Sequence, residues 1–197
     1  WNNEKVTVEA YQGKWSLKLP TPKAGGPYTI TIEGHEKIVL SNVLIGEVWL
    51  CSGQSNMEWT PLHGLDNAEE EIANSTYSNI RFFSVPKHIS KHPQDDSFGE
   101  WVDSSPETMK KFSSVGYFFG RRLHKDLDVP IGLINSSWGG TNVEVWIPKE
   151  VIQQEQALVK SMDRINEVAW WPRNEALAYN AMIHPLVNFE VAGSIWY

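Results

Sequence analysis

The sequence predicts an α/β chain in which a parallel sheet is covered on both faces by helices and preceded by part of a small antiparallel β region. Three observations predict it. Short apolar runs bounded by turn signals read as strands buried on both faces. Between them lie segments with helical spacing of apolar residues. The first forty or so residues instead alternate polar and apolar residues with the two-residue period of half-buried strands.

In chain order, Lys5–Ala10 and Trp15–Leu19 alternate, and a breaker cluster follows at Pro20–Pro27. Tyr28–Ile32 alternates again and Lys37–Leu40 adds a fourth short strand, so residues 1–43 read as a partial β-sandwich-like domain. The texture changes near Val43, and residues 44–197 read as the second domain. Leu44 to Leu50 is a mostly apolar run ending in Cys51-Ser52-Gly53. Ile80–Val85 is a second such strand, stopped by Pro86, and Lys87 to Glu107 reads as a polar surface loop. Val115, Phe118, Phe119, Leu123 and Leu127 carry helical spacing over Phe112–Leu127. Val129–Asn135 is the third buried strand, leading into Ser136-Ser137-Trp138-Gly139-Gly140-Thr141. Lys149–Val168 reads as a polar helix, Glu175–Val187 as helical until Pro185, and Val191–Tyr197 as the fourth buried strand.

Composition excludes several partner classes. The chain has 197 residues and a formal charge of -7, with no Lys/Arg-rich run, which disfavours nucleic acid and anionic membranes. No apolar run approaches the ~20 residues that span a bilayer. Cys51 is the only cysteine, so no internal disulfide forms. There are ten Trp, most of them expected in the core and two or three at a site. The chain starts at Trp1 without Met, and the expectation is that an N-terminal part is missing.

In open parallel sheets, sites form at the carboxyl ends of strands. Two Gly-containing turns fall at such ends: Ser52-Gly53-Gln54-Ser55-Asn56 and Trp138-Gly139-Gly140-Thr141. An exposed Ser beside backbone N–H groups offers both a nucleophile and oxyanion donors for acyl transfer. On spacing alone Ser55 also reads as a helix-capping turn residue, and Gly139-Gly140 as a plain turn. Met57 stands where the second Gly of a G-x-S-x-G elbow would be, and the dinucleotide and P-loop fingerprints are absent.

The run Gly46–Trp59, the run Pro130–Thr141 and the run Ala178–Leu186 together resemble the sialate O-acetylesterase family, serine esterases of the SGNH-hydrolase superfamily that also includes acetylxylan esterases. Gly13–Leu17 and Ala24–Ile30 resemble the β domain that precedes the hydrolase domain in that family. The resemblance implies a flavodoxin-like three-layer sheet and an O-acetylated sugar or glycan as substrate, acetylated sialic acid first and acetylated xylan as the alternative. It implies Ser55 as nucleophile, with its own N–H and that of Gly140 or Gly139 as oxyanion donors, Gly140 preferred. Gln54 and Asn56 flank the nucleophile and shape or brace its loop; Thr141 and Glu144 orient the site or sugar, or belong to a solvated loop. Trp59, Trp138 and Trp146 are candidates for stacking on the sugar or for core packing. No cofactor and no metal are implied: His88 and His92 are four apart, but Pro93 argues against a helix there. His184 reads as a packed residue, and His35, His63, His88, His92 and His124 as solvated ones.

Family members continue past the strand matching Val191–Tyr197 with Gln-Gly-Glu-Ser-Asn, and later with an Asp and a His. This chain ends at Tyr197, so it is expected to match roughly the first half of such an enzyme and to need the remainder of the hydrolase domain. A non-catalytic carbohydrate-binding module and an inactive fragment are the competing readings. By the same resemblance the protein is expected to be secreted, periplasmic or lysosomal.

Overall fold

The computed structural model describes residues 5–165 and 170–197. Its contacts divide the chain into two compact units after Gly46.

In the first unit, β1 (Gly25–Glu33) and β2 (Lys37–Ile45) form an antiparallel pair, with Ile32 opposite Ile38 and Glu33 opposite Lys37. Tyr28–Ile32 and Lys37–Leu40 thus lie in strands longer than their alternation marks. Lys5–Ala10 and Trp15–Leu19 are not assigned to strands, and a bridge between Tyr11 and Lys14 lies between them. These stretches are almost wholly exposed. Alternation makes a segment amphipathic, but a strand exists only where its backbone groups find a partner edge.

The second unit is built on a five-stranded sheet in the order β5-β4-β6-β3-β7. Its strands are β3 (Glu47–Gly53), β4 (Tyr77–Ser84), β5 (Trp101–Ser104), β6 (Ile131–Ser137) and β7 (Gly193–Trp196). All neighbours are parallel except β5, which runs antiparallel to β4. In register, Trp49 lies opposite Leu133 on one side and Gly193 on the other. Taken by themselves, β3, β6 and β7 follow the flavodoxin order, with the first strand in the middle. β4 and β5 extend the sheet beyond β6.

Five expected elements differ in detail. The last strand, read as buried over Val191–Tyr197, is β7 at Gly193–Trp196 with Val191, Trp196 and Tyr197 exposed, because among the described residues it pairs on one side only, with β3. The first buried run begins later than read, because Leu44 and Ile45 close β2; β3 is half-buried at Glu47–Leu50 and fully buried only at Cys51–Gly53. The polar stretch 87–107 holds β5 and the start of α3 (Pro106–Met109) rather than loop alone. β5 is a four-residue edge strand, pinned by an Arg81–Asp103 ion pair at 3.1 Å, and α3 starts at the Ser105 cap. The polar helix is two helices, α5 (Lys149–Gln154) and α6 (Gln156–Met162), broken where Glu155 takes an extended conformation. Its last residues, 166–168, lie outside the described residues. The helix read before Pro185 is a π-turn at Tyr179–Ile183 followed by a 3₁₀ turn at His184–Leu186.

Between β3 and β4 lie α1 (Ser55–Glu58) and α2 (Ala68–Ala73). α4 (Ser114–Leu127) is the longest helix described. Ser113 caps it by accepting the Gly116 N–H at 3.0 Å, and Asp128 ends it in the left-handed region. Gly116 and Gly120, one turn apart, let α4 settle on the sheet. A Cβ on Gly120 would meet Leu133 Cδ1 at 2.6 Å, and one on Gly116 would meet Cys51 Sγ at 3.1 Å.

Side chains alternate across the sheet, so each strand feeds two cores. Trp49, Cys51, Phe82 and Leu133 pack with Met57, Phe112 and Tyr117 under α4. Val48, Leu50, Phe83 and Ile134 pack on the other side with Val145, Trp146, Ala181 and Met182. The connection from β4 to β6 thus covers one face and that from β6 to β7 the other, giving three layers. β3 lies between them, and the crevice outside its carboxyl end is the switch point where α/β sheets bind ligands. Cys51, in the first core, has its thiol pushed up to about 12 by burial.

Candidate active site

β3 ends at Gly53, whose φ of +136° a side chain would strain. A Cβ there would overlap the Tyr197 carbonyl and lie 2.9 Å from the Tyr197 N. The flanking backbone stitches three strand ends together. The Trp138 N–H donates to Gly53 O at 3.0 Å, the Gln54 N–H to Tyr197 O at 3.0 Å, and the Tyr197 N–H to Ser52 O at 3.2 Å. Below them the Ser52 hydroxyl donates to Ser136 O, and the Ser136 hydroxyl to Met182 O. The end of β3 is therefore held rigidly by β6 and β7.

Ser55 is the first residue of α1 and is exposed. Met57 buries the opposite side of that turn, and Trp59 O accepts the Ser114 N–H at 2.8 Å, tying α1 to α4. Among the described residues, neither the Ser55 hydroxyl nor its N–H is hydrogen-bonded. Gln54 and Asn56 beside it are also exposed. Gln54 uses only its backbone here, its carbonyl accepting the Glu58 N–H at 3.0 Å.

The second glycine turn lies directly against Ser55. A Cβ on Gly139 would stand 3.3 Å from both Ser55 Cα and Cβ. The Gly139 N–H is taken by Glu58 Oε2 at 2.5 Å, and Glu58 Oε1 binds the Lys87 ammonium. Gly140 has φ +77°, and its N–H is without a partner among the described residues. A Cβ there would run into the Trp171 ring at 2.5 Å. Trp171 is 38% exposed, with the Arg173 guanidinium 5.6 Å from its ring centre.

The remaining predicted residues divide clearly. The Thr141 hydroxyl donates to Trp138 O at 2.7 Å and accepts the Trp146 indole N–H at 3.0 Å. Glu144 is 6% exposed and accepts from Asn142 Nδ2 at 2.8 Å and from the Ser161 hydroxyl at 2.5 Å. Burial alone would raise its pKa, but the hydrogen bonds from Ser161, Asn142 and its own backbone hold it below the ordinary carboxylate value. Both side chains brace the turn from within. Trp146 is core, packed edge-on to Trp196; Trp138 is half-buried; Trp59 stays 44% exposed.

Four histidines have ring hydrogen bonds among the described residues, three of them to residues nearby in sequence. His63 caps with Thr60, His88 meets Pro86 O, His124 meets Val129 O, and His184 meets Gln94 O at 2.8 Å. A cavity of about 680 Å³ opens beside His184, Lys149 and Asn180, and no predicted site residue lines it. Among the described residues no three His, Cys, Asp or Glu gather as a metal site.

Three features escaped sequence reading: Trp171 over Gly140, the Glu58–Lys87 pair, and the Tyr197 backbone against Gly53. The adjacent glycines at 139 and 140 were the available signal, since paired small residues mark close approach by something else.

Residues 45–197 match the family model of sialic acid-specific acetylesterases, a class of carbohydrate esterase. The chain belongs to this family. It is 35% identical to the sialate O-acetylesterases of Pongo abelii and Homo sapiens over 209 residues, which cover 98% of this chain and 40% of each relative. The crystal structure of a carbohydrate acetylesterase from Xanthomonas citri is similar at TM-score 0.81 and 37% identity, over 94% of this chain and 40% of that one. The chain thus spans about two fifths of the length of these relatives. The fold shared with the acetylesterase structure is the α/β sheet with its small antiparallel pair.

Proposed function

We propose that this chain carries the nucleophile and part of the oxyanion hole of a serine esterase that removes O-acetyl groups from sugars, acetylated sialic acid first. One observation carries the reading. Ser55 is exposed at the switch point of the sheet, in direct contact with a glycine turn, and among the described residues neither its hydroxyl nor the Gly140 N–H has a hydrogen-bond partner.

In this mechanism the Ser55 oxygen attacks the acetyl carbonyl carbon, and its proton passes to a general base. The family pattern assigns that base to a His outside these 197 residues. The carbonyl oxygen becomes an oxyanion held by the N–H groups of Ser55 and Gly140. Gly140 is preferred over Gly139 because the Gly139 N–H is committed to Glu58. The C–O bond to the sugar breaks, the sugar oxygen takes the proton from the base, and acetyl-Ser55 remains. Water, deprotonated by the same base, then attacks the acetyl carbon; the bond to Ser55 Oγ breaks, the base returns its proton to Oγ, and acetate leaves. Trp59, four residues after Ser55, and Trp171, packed on Gly140, are 44% and 38% exposed and are the candidates for stacking on a sugar. Gln54 and Asn56 shape the loop. Residues through 43 belong to the β domain that precedes the hydrolase domain, and a secreted, periplasmic or lysosomal location goes with the same family reading.

The test is hydrolysis of acetylated sialic acid, acetylated xylan and a small acetyl ester by the intact protein and its Ser55→Ala variant. Activity is expected to fall by at least ~10³-fold. The melting temperature is expected to stay put, because Ser55 makes no bond the fold needs. A variant as active as the parent, or an intact protein inactive on every ester, would reject the assignment.

A further inference from the structure

We propose that Glu58 is a positioning residue that sets the Gly139–Gly140 peptide against Ser55. Glu58 sits three residues after Ser55 on α1, and its carboxylate joins the loops that follow three parallel strands. Oε2 accepts the Gly139 N–H at 2.5 Å beyond β6, and Oε1 binds Lys87 beyond β4. A Gly-Gly turn has the freest backbone a chain can offer, so its orientation must be imposed from outside. A charged acceptor supplies a stronger anchor than a neutral one. With the Gly139 N–H turned onto Glu58, the next donor in the chain, that of Gly140, is left unpaired among the described residues.

Lys87 has its own part in this. A bare carboxylate this close to Ser55 would repel a developing oxyanion. The Lys87 ammonium offsets that charge, so Glu58 can anchor the turn without opposing the reaction. Lys87 is in place because it follows Pro86 directly beyond β4.

The proposal rests on Ser55 being the nucleophile, and its test separates the two ideas. In the intact protein, Glu58→Ala is expected to lower kcat for an acetyl ester about 10- to 100-fold with KM changed less than about twofold. Glu58→Gln keeps an acceptor for the Gly139 N–H and is expected to recover most of that loss. Lys87→Met is expected to lower kcat while Glu58 carries its charge, and to have a smaller effect in the Glu58→Gln background. Near-UV circular dichroism confirms that each variant is folded. The Gly139 amide gives a readout that needs no activity: its hydrogen exchange is expected to quicken at least about tenfold in Glu58→Ala. An unchanged kcat in Glu58→Ala, a loss confined to KM, or an unchanged Gly139 exchange rate would overturn the proposal. If the parent protein hydrolyses no ester, the nucleophile assignment falls and the exchange measurement alone decides the role of Glu58.

Discussion

The Tyr197 backbone lies across Gly53, occupying the space where any side chain at position 53 would project. This contact and the paired hydrogen bonds around it fasten β7 to the end of β3.

Gly53→Ala therefore meets two obstacles, a left-handed φ of +136° and a backbone group that has no rotamer to change. The expected loss is on the order of 3 kcal/mol of folding stability, read from the urea midpoint. A loss below about 0.5 kcal/mol would show that the strand end is pliable.

Glu144 makes stability depend on pH in a defined direction. Its folded-state pKa lies below the ordinary value of 4.5, so its charge stabilises the fold above that value. This contribution disappears as pH falls through the lowered folded value. Glu144→Gln can satisfy only one of the two donors, Ser161 and Asn142, and is expected to be about 1–3 kcal/mol less stable at pH 7. The gap between parent and variant should narrow once the pH drops below about 4.5. Urea titrations at a series of pH values measure this; a gap that stays constant would rule out the carboxylate as its cause.

Trp171 both packs on Gly140 and presents a ring to solvent. If it is the sugar platform, Trp171→Ala should raise KM for an acetylated sugar about five- to tenfold, in line with roughly 1 kcal/mol of stacking. A small acetyl ester with no sugar ring should show a much smaller change. Equal losses on both esters would mean that the ring only braces the glycine turn.

The legible parts of the fold are those whose signal is local. β3 and β6 announce themselves as apolar runs that lead into small or polar turns, β7 as a further apolar run, and α4 by its helical spacing. β5 does not, because a four-residue edge strand inside a polar stretch owes its existence to the neighbouring β4. Conversely, Lys5–Ala10 has the period of a strand but no strand partner among the described residues. The helix break at Glu155 is equally silent, since nothing in Gln154-Glu155-Gln156 forbids a continuous helix. At the candidate site, Ser55, Gly139 and Gly140 were readable as members of two Gly-containing turns at strand ends, which the structure brings into contact. Glu58, Lys87 and Trp171 were not, because their importance lies in which distant loop each one meets. Thr141 and Glu144 carry polar groups next to the site, yet those groups turn inward to hold the turn.

The central place of β3 in the sheet has a consequence for how the protein is made. β3 pairs with β6, about 84 residues further along, before β7 can complete its other side. At a synthesis rate of roughly 5–20 residues per second, β3 leaves the ribosome several seconds before its first sheet partner exists. For that interval the strand end bearing Ser55 is an apolar segment without either of its sheet partners.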